Sequence, residues 1–158
     1  MRSGQSSNTA KRTSWQRKMI IEVCSQKMAI NLAEQTRVKT SIISITSKEA
    51  VDVVFPDNPN IQSVLHLKFN DLTDEYDEEG IPYGCPLPQP EDFAGLKGFV
   101  INLTCDLVIV HCWEGKSRSA AVAKAICMFR GQTCDLRSQE ELSPNPLVYG
   151  LACRELGI

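Results

Sequence analysis

An apolar strand, a polar loop and an alanine-rich helix follow one another directly in the run VIVHCWEGKSRSAAVAKAI, residues 108–126. Five residues separate Cys112 from Arg118, so the loop between them can curl with successive backbone N–H groups pointing inward. The start of the helix adds the positive end of its dipole to the same point. This run therefore predicts an anion-binding loop, sized for a phosphate dianion, at the carboxyl end of a strand.

Cys112 lies at the floor of that loop, where the same electric field favours a thiolate over a thiol. Cysteines at such helix starts have pKa values of about 3.5–7.5, below that of a free cysteine. The alternative, a buried cysteine that only ends a strand, explains neither the loop nor Arg118. We therefore expect Cys112 to be a nucleophile at neutral pH.

The nine residues from His111 to Ser119, HCWEGKSRS, resemble the HCxxGxxRS motif of cysteine-dependent protein phosphatases, and of their dual-specificity branch in particular. The resemblance covers the chain from about Thr40 onward, and only the nine-residue motif is specific. It implies a phosphotyrosine phosphatase-like α/β fold, a phosphocysteine intermediate and a general-acid aspartate upstream of the motif. A phosphorylated protein is the implied substrate, and no cofactor is needed.

Two residues of the motif are expected to act with Cys112. Arg118 offers a planar fork of N–H groups to two phosphate oxygens, which a lysine cannot imitate. Ser119 is placed to donate to the sulfur when the phosphocysteine is hydrolysed. The remaining phosphate contacts are expected from the loop itself, residues Trp113, Glu114, Gly115, Lys116 and Ser117.

Within the loop, Ser117 is expected to use its backbone N–H rather than its hydroxyl, and Gly115 to serve backbone conformation. Glu114 either pairs with Arg118 or is solvated. By resemblance, His111 supports the loop and lowers the thiol pKa. Asn145, in the run SPNP, resembles a Pro-Asn element that follows the motif's helix in dual-specificity enzymes, and it is expected to hold the loop or a water.

A leaving alkoxide or phenolate needs a proton, and a positioned acid contributes about 10²–10⁴-fold to such reactions. Asp71 is the first candidate, because it ends a predicted strand 41 residues before Cys112 and would reach the same sheet edge. That separation is longer than is usual in the family. Asp74 ranks second and Asp77 third in the acidic run DLTDEYDEE, which otherwise is typical of a solvated loop.

The length of 158 residues and the 42% of hydrophobic residues indicate one domain, residues 19–158. Residues 1–18 carry five basic and no acidic residues and predict a disordered tail. Seven cysteines without a CxxC pair and only two histidines indicate no metal site and a reducing compartment. The net charge of −2 does not suggest a nucleic-acid partner, and the lack of a long apolar run does not suggest a membrane partner. We expect a monomeric, cytoplasmic protein.

Apolar periodicity predicts an α/β fold with a central, mainly parallel sheet flanked by helices. Strands are predicted at 19–24, 40–46, 63–69 and 106–111, and helices at 25–34, 90–103, 119–130 and from about 146. The connection from 130 to 144 is short, which suggests that one helix of the family is reduced or lost.

The predicted activity is hydrolysis of phosphotyrosine, with or without phosphoserine and phosphothreonine, in proteins. One alternative is a phosphoinositide, nucleotide or RNA 5′-end phosphatase on the same scaffold, since Lys116 lies where some lipid phosphatases carry a basic residue. A different class is a phosphate-binding interaction module with little turnover, which the intact Cys112, Arg118 and Ser119 argue against.

Overall fold

The computed structural model describes residues 18–131 and 135–158. The predicted tail, residues 1–18, lies outside this part of the chain except for Lys18, and so does Cys134. Five strands are described: β1 (Ile20–Ser25), β2 (Thr40–Thr46), β3 (Ile61–Lys68), β4 (Leu107–Cys112) and β5 (Asp135–Arg137). Four α-helices accompany them: α1 (Gln26–Gln35), α2 (Leu96–Ile101), α3 (Arg118–Arg130) and α4 (Pro146–Leu156).

The strands form one sheet in the order β3-β2-β4-β1-β5, and every pair of neighbouring strands is parallel. This arrangement confirms the predicted α/β class with a parallel sheet. Because the strands are parallel, their carboxyl ends share one edge of the sheet. Strand β4, which carries Cys112, lies in the middle of that edge.

Alternating side chains of the strands pack against opposite faces of the sheet. On β4, Val108 and Val110 pack with the larger core beneath α2, α3 and α4, whereas Leu107 and Ile109 pack with a smaller core beneath α1. Both faces are thus covered, which is why β2 and β4 are buried along their whole length.

Local sequence signals explain several helix ends. Ser25 caps α1 by accepting a hydrogen bond from Met28 N at 3.2 Å, and Asn145 caps α4 from a position just before Pro146. Gly131 ends α3 in a left-handed conformation with φ of 62°, as its position in the sequence predicts.

The predicted single helix over 90–103 is wrong in one respect. A 3-10 helix at Pro90–Phe93 and α2 at Leu96–Ile101 are separated by Gly95, whose φ of 90° breaks the helical path. Between β5 and α4 the described residues, 138–145, contain no helix, as the short connection suggested. Strand β5 itself was not predicted, because three residues carry no periodic pattern.

Candidate active site

The loop between β4 and α3 forms a candidate active site at the middle of the carboxyl edge. Cys112 is the last residue of β4, and Arg118 is the first residue of α3. Trp113 O accepts a hydrogen bond of 3.3 Å from Gln26 N at the start of α1, so the loop is attached to the neighbouring strand-to-helix junction. The side chain of Ser117 does not cap α3, which leaves the first N–H groups of the helix directed at the loop.

The sulfur of Cys112 is surrounded by hydrogen-bond donors. Ser119 Oγ lies 3.2 Å from Cys112 Sγ, and Gly115 N donates to the sulfur at 3.3 Å. Burial is the strongest single influence and raises the pKa of Cys112, but bonds from the Ser119 hydroxyl, the Ser119 and Gly115 N–H groups and the charge of Arg118 outweigh it. The pKa of Cys112 therefore lies below its ordinary value of 9.0, as a nucleophilic thiolate requires.

His111 is fully buried beside Cys112 and is uncharged. Its Nδ1 lies 3.2 Å from Cys112 O, which can only accept, so Nδ1 carries the proton and Nε2 accepts from Ser44 Oγ at 2.6 Å. Burial chiefly lowers the pKa of His111 to about 4, and the hydrogen bond to Cys112 O only partly offsets this. A neutral imidazole supports the backbone of Cys112 but cannot stabilise the thiolate by charge.

Arg118 is only 6% exposed, and its guanidinium is anchored on one side. Nη1 donates to Phe69 O at 3.0 Å and to Ser47 Oγ at 3.2 Å, at the ends of β3 and β2. Nε is buried without a hydrogen-bond partner, and it is the one such side-chain atom among the described residues. Leaving a buried donor unsatisfied costs about 1–3 kcal/mol, more when the group is charged, so an anionic oxygen at this position would be favoured.

The other loop residues divide by exposure. Trp113, Glu114 and Lys116 are exposed, whereas Gly115 is buried with φ of 78°. No ion pair between Glu114 and Arg118 is present among the described residues, so Glu114 takes the solvated alternative. The phosphate contacts predicted for the side chains of this loop stay predictions.

Asp71 is brought to the loop from the end of β3, as its position after that strand predicts. Its Oδ1 accepts a hydrogen bond of 2.8 Å from Ser117 Oγ and a second one of 2.8 Å from Asn145 Nδ2. The hydroxyl of Ser117, which was not expected to act, therefore holds Asp71. Asn145 is 5% exposed, and it both caps α4 and contacts Asp71 beside the loop of Cys112.

The rival carboxylates have other partners. Asp77 Oδ1 accepts from Glu79 N at 2.9 Å and from Ile81 N at 2.8 Å, so it shapes the turn of its own loop. Asp74 is exposed and accepts from Thr73 Oγ1 at 3.2 Å. Of the three candidates, Asp71 is the one that the structure joins to the loop of Cys112.

Sequence reasoning missed Ser44 and Ser47, which hold His111 and Arg118. Ser44 had a recognisable signal, because it is a polar residue between two isoleucines of the run TSIISIT, which forms a strand buried along its whole length. Sequence reasoning also missed the segment before α4. There, Ser143 N donates to Lys116 O at 2.8 Å, and Asn145 N donates to Ser117 O at 3.3 Å. These backbone contacts leave no trace in side-chain identity.

Metal-binding clusters and membrane-spanning helices are both absent from the part of the chain that the structure describes. No three His, Cys, Asp or Glu side chains there are grouped so that they could hold a metal ion. None of the described helices has the length and apolar character needed to cross a membrane.

No model of a known protein family matches the chain, and no curated protein is significantly similar to it in sequence.

Proposed function

We propose that this chain is a cysteine-dependent phosphatase that hydrolyses phosphotyrosine, with or without phosphoserine and phosphothreonine, in protein substrates. The observation that carries the proposal is the buried Nε of Arg118, a charged donor without a partner, on the same loop as a thiol whose pKa is lowered. Transfer of a phosphoryl dianion requires a nucleophile for phosphorus and a donor for the equatorial oxygens. The thiol of Cys112 is suited to the first role and Nε of Arg118 to the second.

In the first step, the thiolate of Cys112 forms a bond to phosphorus while the P–O bond to the leaving group breaks. The electron pair of that bond goes to the leaving oxygen, which takes a proton from Asp71. Arg118 and the N–H groups at the start of α3 stabilise the charge on the remaining oxygens.

In the second step, a water gives a proton to the carboxylate of Asp71 and attacks the phosphocysteine. The S–P bond breaks, inorganic phosphate is released, and Cys112 leaves as a thiolate. Ser119, 3.2 Å from the sulfur, donates its hydroxyl proton in a hydrogen bond to this leaving thiolate. A thiolate nucleophile must stay reduced, so we place the activity in a reducing compartment such as the cytoplasm.

The test is hydrolysis of 4-nitrophenyl phosphate in EDTA by the wild type and by Cys112→Ser. We expect turnover without added metal, and a fall to the buffer rate in the variant. Phosphotyrosine and phosphoserine peptides, a phosphoinositide and a 5′-phosphorylated RNA then identify the substrate class. An inactive wild type that binds vanadate would contradict the proposal and indicate an interaction module.

A further inference from the structure

We infer that Asn145 and Ser117 are positioning residues that hold Asp71 by Oδ1, leaving Oδ2 as the oxygen that carries the proton to the leaving group. The inference rests on the proposed function, since it assigns the atom and the support of the general acid. It depends on contacts that join three distant parts of the chain. Asp71 follows β3, Ser117 lies in the loop of Cys112, and Asn145 precedes α4.

The hydrogen bonds of Asn145 define the orientation of its amide. Oδ1 accepts from Leu147 N at 3.0 Å and from Val148 N at 3.1 Å, and both of these partners can only donate. Nδ2 donates to Asp71 Oδ1 at 2.8 Å and to Leu72 O at 3.1 Å. Both N–H bonds of the amide are therefore used, and one of them holds the carboxylate.

The two carboxylate oxygens of Asp71 differ in the number of hydrogen bonds that they accept. Oδ1 accepts from Ser117 Oγ and from Asn145 Nδ2, each at 2.8 Å. Two donors occupy its acceptor positions, so a proton on Oδ1 would displace one of them. No described residue forms a hydrogen bond to Oδ2, and Asp71 is exposed. Oδ2 is thus the oxygen that can receive, hold and release a proton.

The two side chains that donate to Asp71 are both fixed to the loop of Cys112, since Ser117 belongs to the loop and Asn145 is hydrogen-bonded to it. The backbone N–H of Asn145 donates to Ser117 O at 3.3 Å, and Ser143 N donates to Lys116 O at 2.8 Å. Asp71 is thereby held by hydrogen bonds to the same loop that begins at Cys112. An error of about 1 Å in such an arrangement costs on the order of 10²-fold in rate.

The experiment compares leaving groups, because proton donation matters most when the leaving group is basic. Asn145→Asp keeps the oxygen that caps α4 but replaces the donor to Asp71 by an acceptor. Ser117→Ala removes the other donor, and Ser117→Thr restores a hydroxyl. Asn70→Asp is the matched control, since Asn70 lies next to Asp71 but donates to Pro86 O.

We expect Asn145→Asp and Ser117→Ala to lower kcat for phenyl phosphate by about 10-fold to 100-fold. With 2,4-dinitrophenyl phosphate, whose leaving group needs no proton, we expect a change below about threefold. Asn70→Asp and Ser117→Thr should keep the leaving-group dependence of the wild type.

The outcomes separate the two proposals. A wild type without turnover overturns the proposed function and this inference with it. An active wild type whose leaving-group dependence is unchanged in Asn145→Asp and in Ser117→Ala overturns the positioning role alone. Equal losses with both leaving groups also overturn it, because they indicate a defect in folding or in phosphate binding.

Discussion

Gly115 lies against the backbone of Cys24. A Cβ placed on Gly115 would be 2.3 Å from the carbonyl carbon of Cys24 and 2.5 Å from Ser25 N, closer than real Cβ atoms approach other atoms. The φ of Gly115 is also 78°, a conformation that costs about 1–3 kcal/mol for other residues. The turn of the loop between β4 and α3 therefore lies in close contact with the end of β1, and no larger residue fits there.

Gly115→Ala is expected to displace the loop from β1 and to lower the free energy of unfolding by about 2 kcal/mol or more, because backbone atoms cannot give way. Activity should fall at least tenfold, since the loop carries Gly115 N, a donor to Cys112 Sγ. Urea denaturation and kcat/KM for 4-nitrophenyl phosphate measure the two effects. Wild-type values for both would show that the loop does not need this close contact.

Gly150→Ala is the matched control, because Gly150 lies in α4 and an added Cβ would have no atom within 4 Å beyond its chain neighbours and the nearby backbone of its own helix. Alanine is favoured over glycine inside a helix by about 0.5–1 kcal/mol. We expect the urea midpoint to rise by the corresponding amount and kcat to stay unchanged. A destabilised Gly150→Ala would mean that α4 packs more tightly at this position than the structure shows.

Alkylation of Cys112 by iodoacetamide is expected to reach half its maximal rate at a pH below the ordinary thiol value of 9.0, because the pKa of Cys112 is lowered. Ser119→Ala should move this midpoint upward, since it removes the hydroxyl 3.2 Å from the sulfur. Peptide mass spectrometry distinguishes the sites. Cys24 is the internal control, because burial chiefly raises its pKa to about 12, and it should stay unmodified below pH 9.

Stability is expected to fall as the pH drops from about 6.5 to about 4 because of His111. An unfolded histidine takes up a proton near pH 6.5, whereas burial lowers the pKa of His111 to about 4, so the unfolded chain binds more protons between these values. The difference corresponds to about 3 kcal/mol at most. Urea denaturation from pH 7 to pH 4 should show a shallower loss in His111→Asn than in the wild type, and equal slopes would contradict this.

Arg118→Lys is expected to lower kcat/KM by about 10²-fold or more, because an ammonium cannot hold Phe69 O and Ser47 Oγ while it also presents a second donor to phosphate. Inhibition by inorganic phosphate should weaken in parallel. A variant that loses activity but binds phosphate as the wild type does would separate anion binding from catalysis at this residue.

The order of strands and helices could be predicted because each depends on local pattern. The run TSIISIT predicts β2 at Thr40–Thr46 without error, since an apolar, β-branched segment between polar residues has few other solutions. The break at Gly95 could not be predicted with the same ease, because the apolar spacing of α2 continues across it. Sheet order depends on contacts between distant segments and has no local signal.

At the candidate site, the side chains with specific chemistry could be predicted and their supports could not. Cys112 and Arg118 follow from the spacing of the loop, and Asp71 from its place at a strand end. The anchoring of Arg118 on Phe69 O and of the loop on Ser143 N involves backbone atoms, which every residue has. Such contacts become visible only when the strands and α4 are in place.

The bond between Asn145 and Asp71 joins residues 74 positions apart, and its donor lies just before α4. Strands β1–β4 and the loop of Cys112 are all synthesised before Asn145. A growing chain would therefore contain Cys112 and Asp71 before Asn145 can bond to Asp71. If the proposed activity holds, turnover of substrates with basic leaving groups would depend on the docking of α4, and a chain cut between β4 and α4 would turn these substrates over slowly.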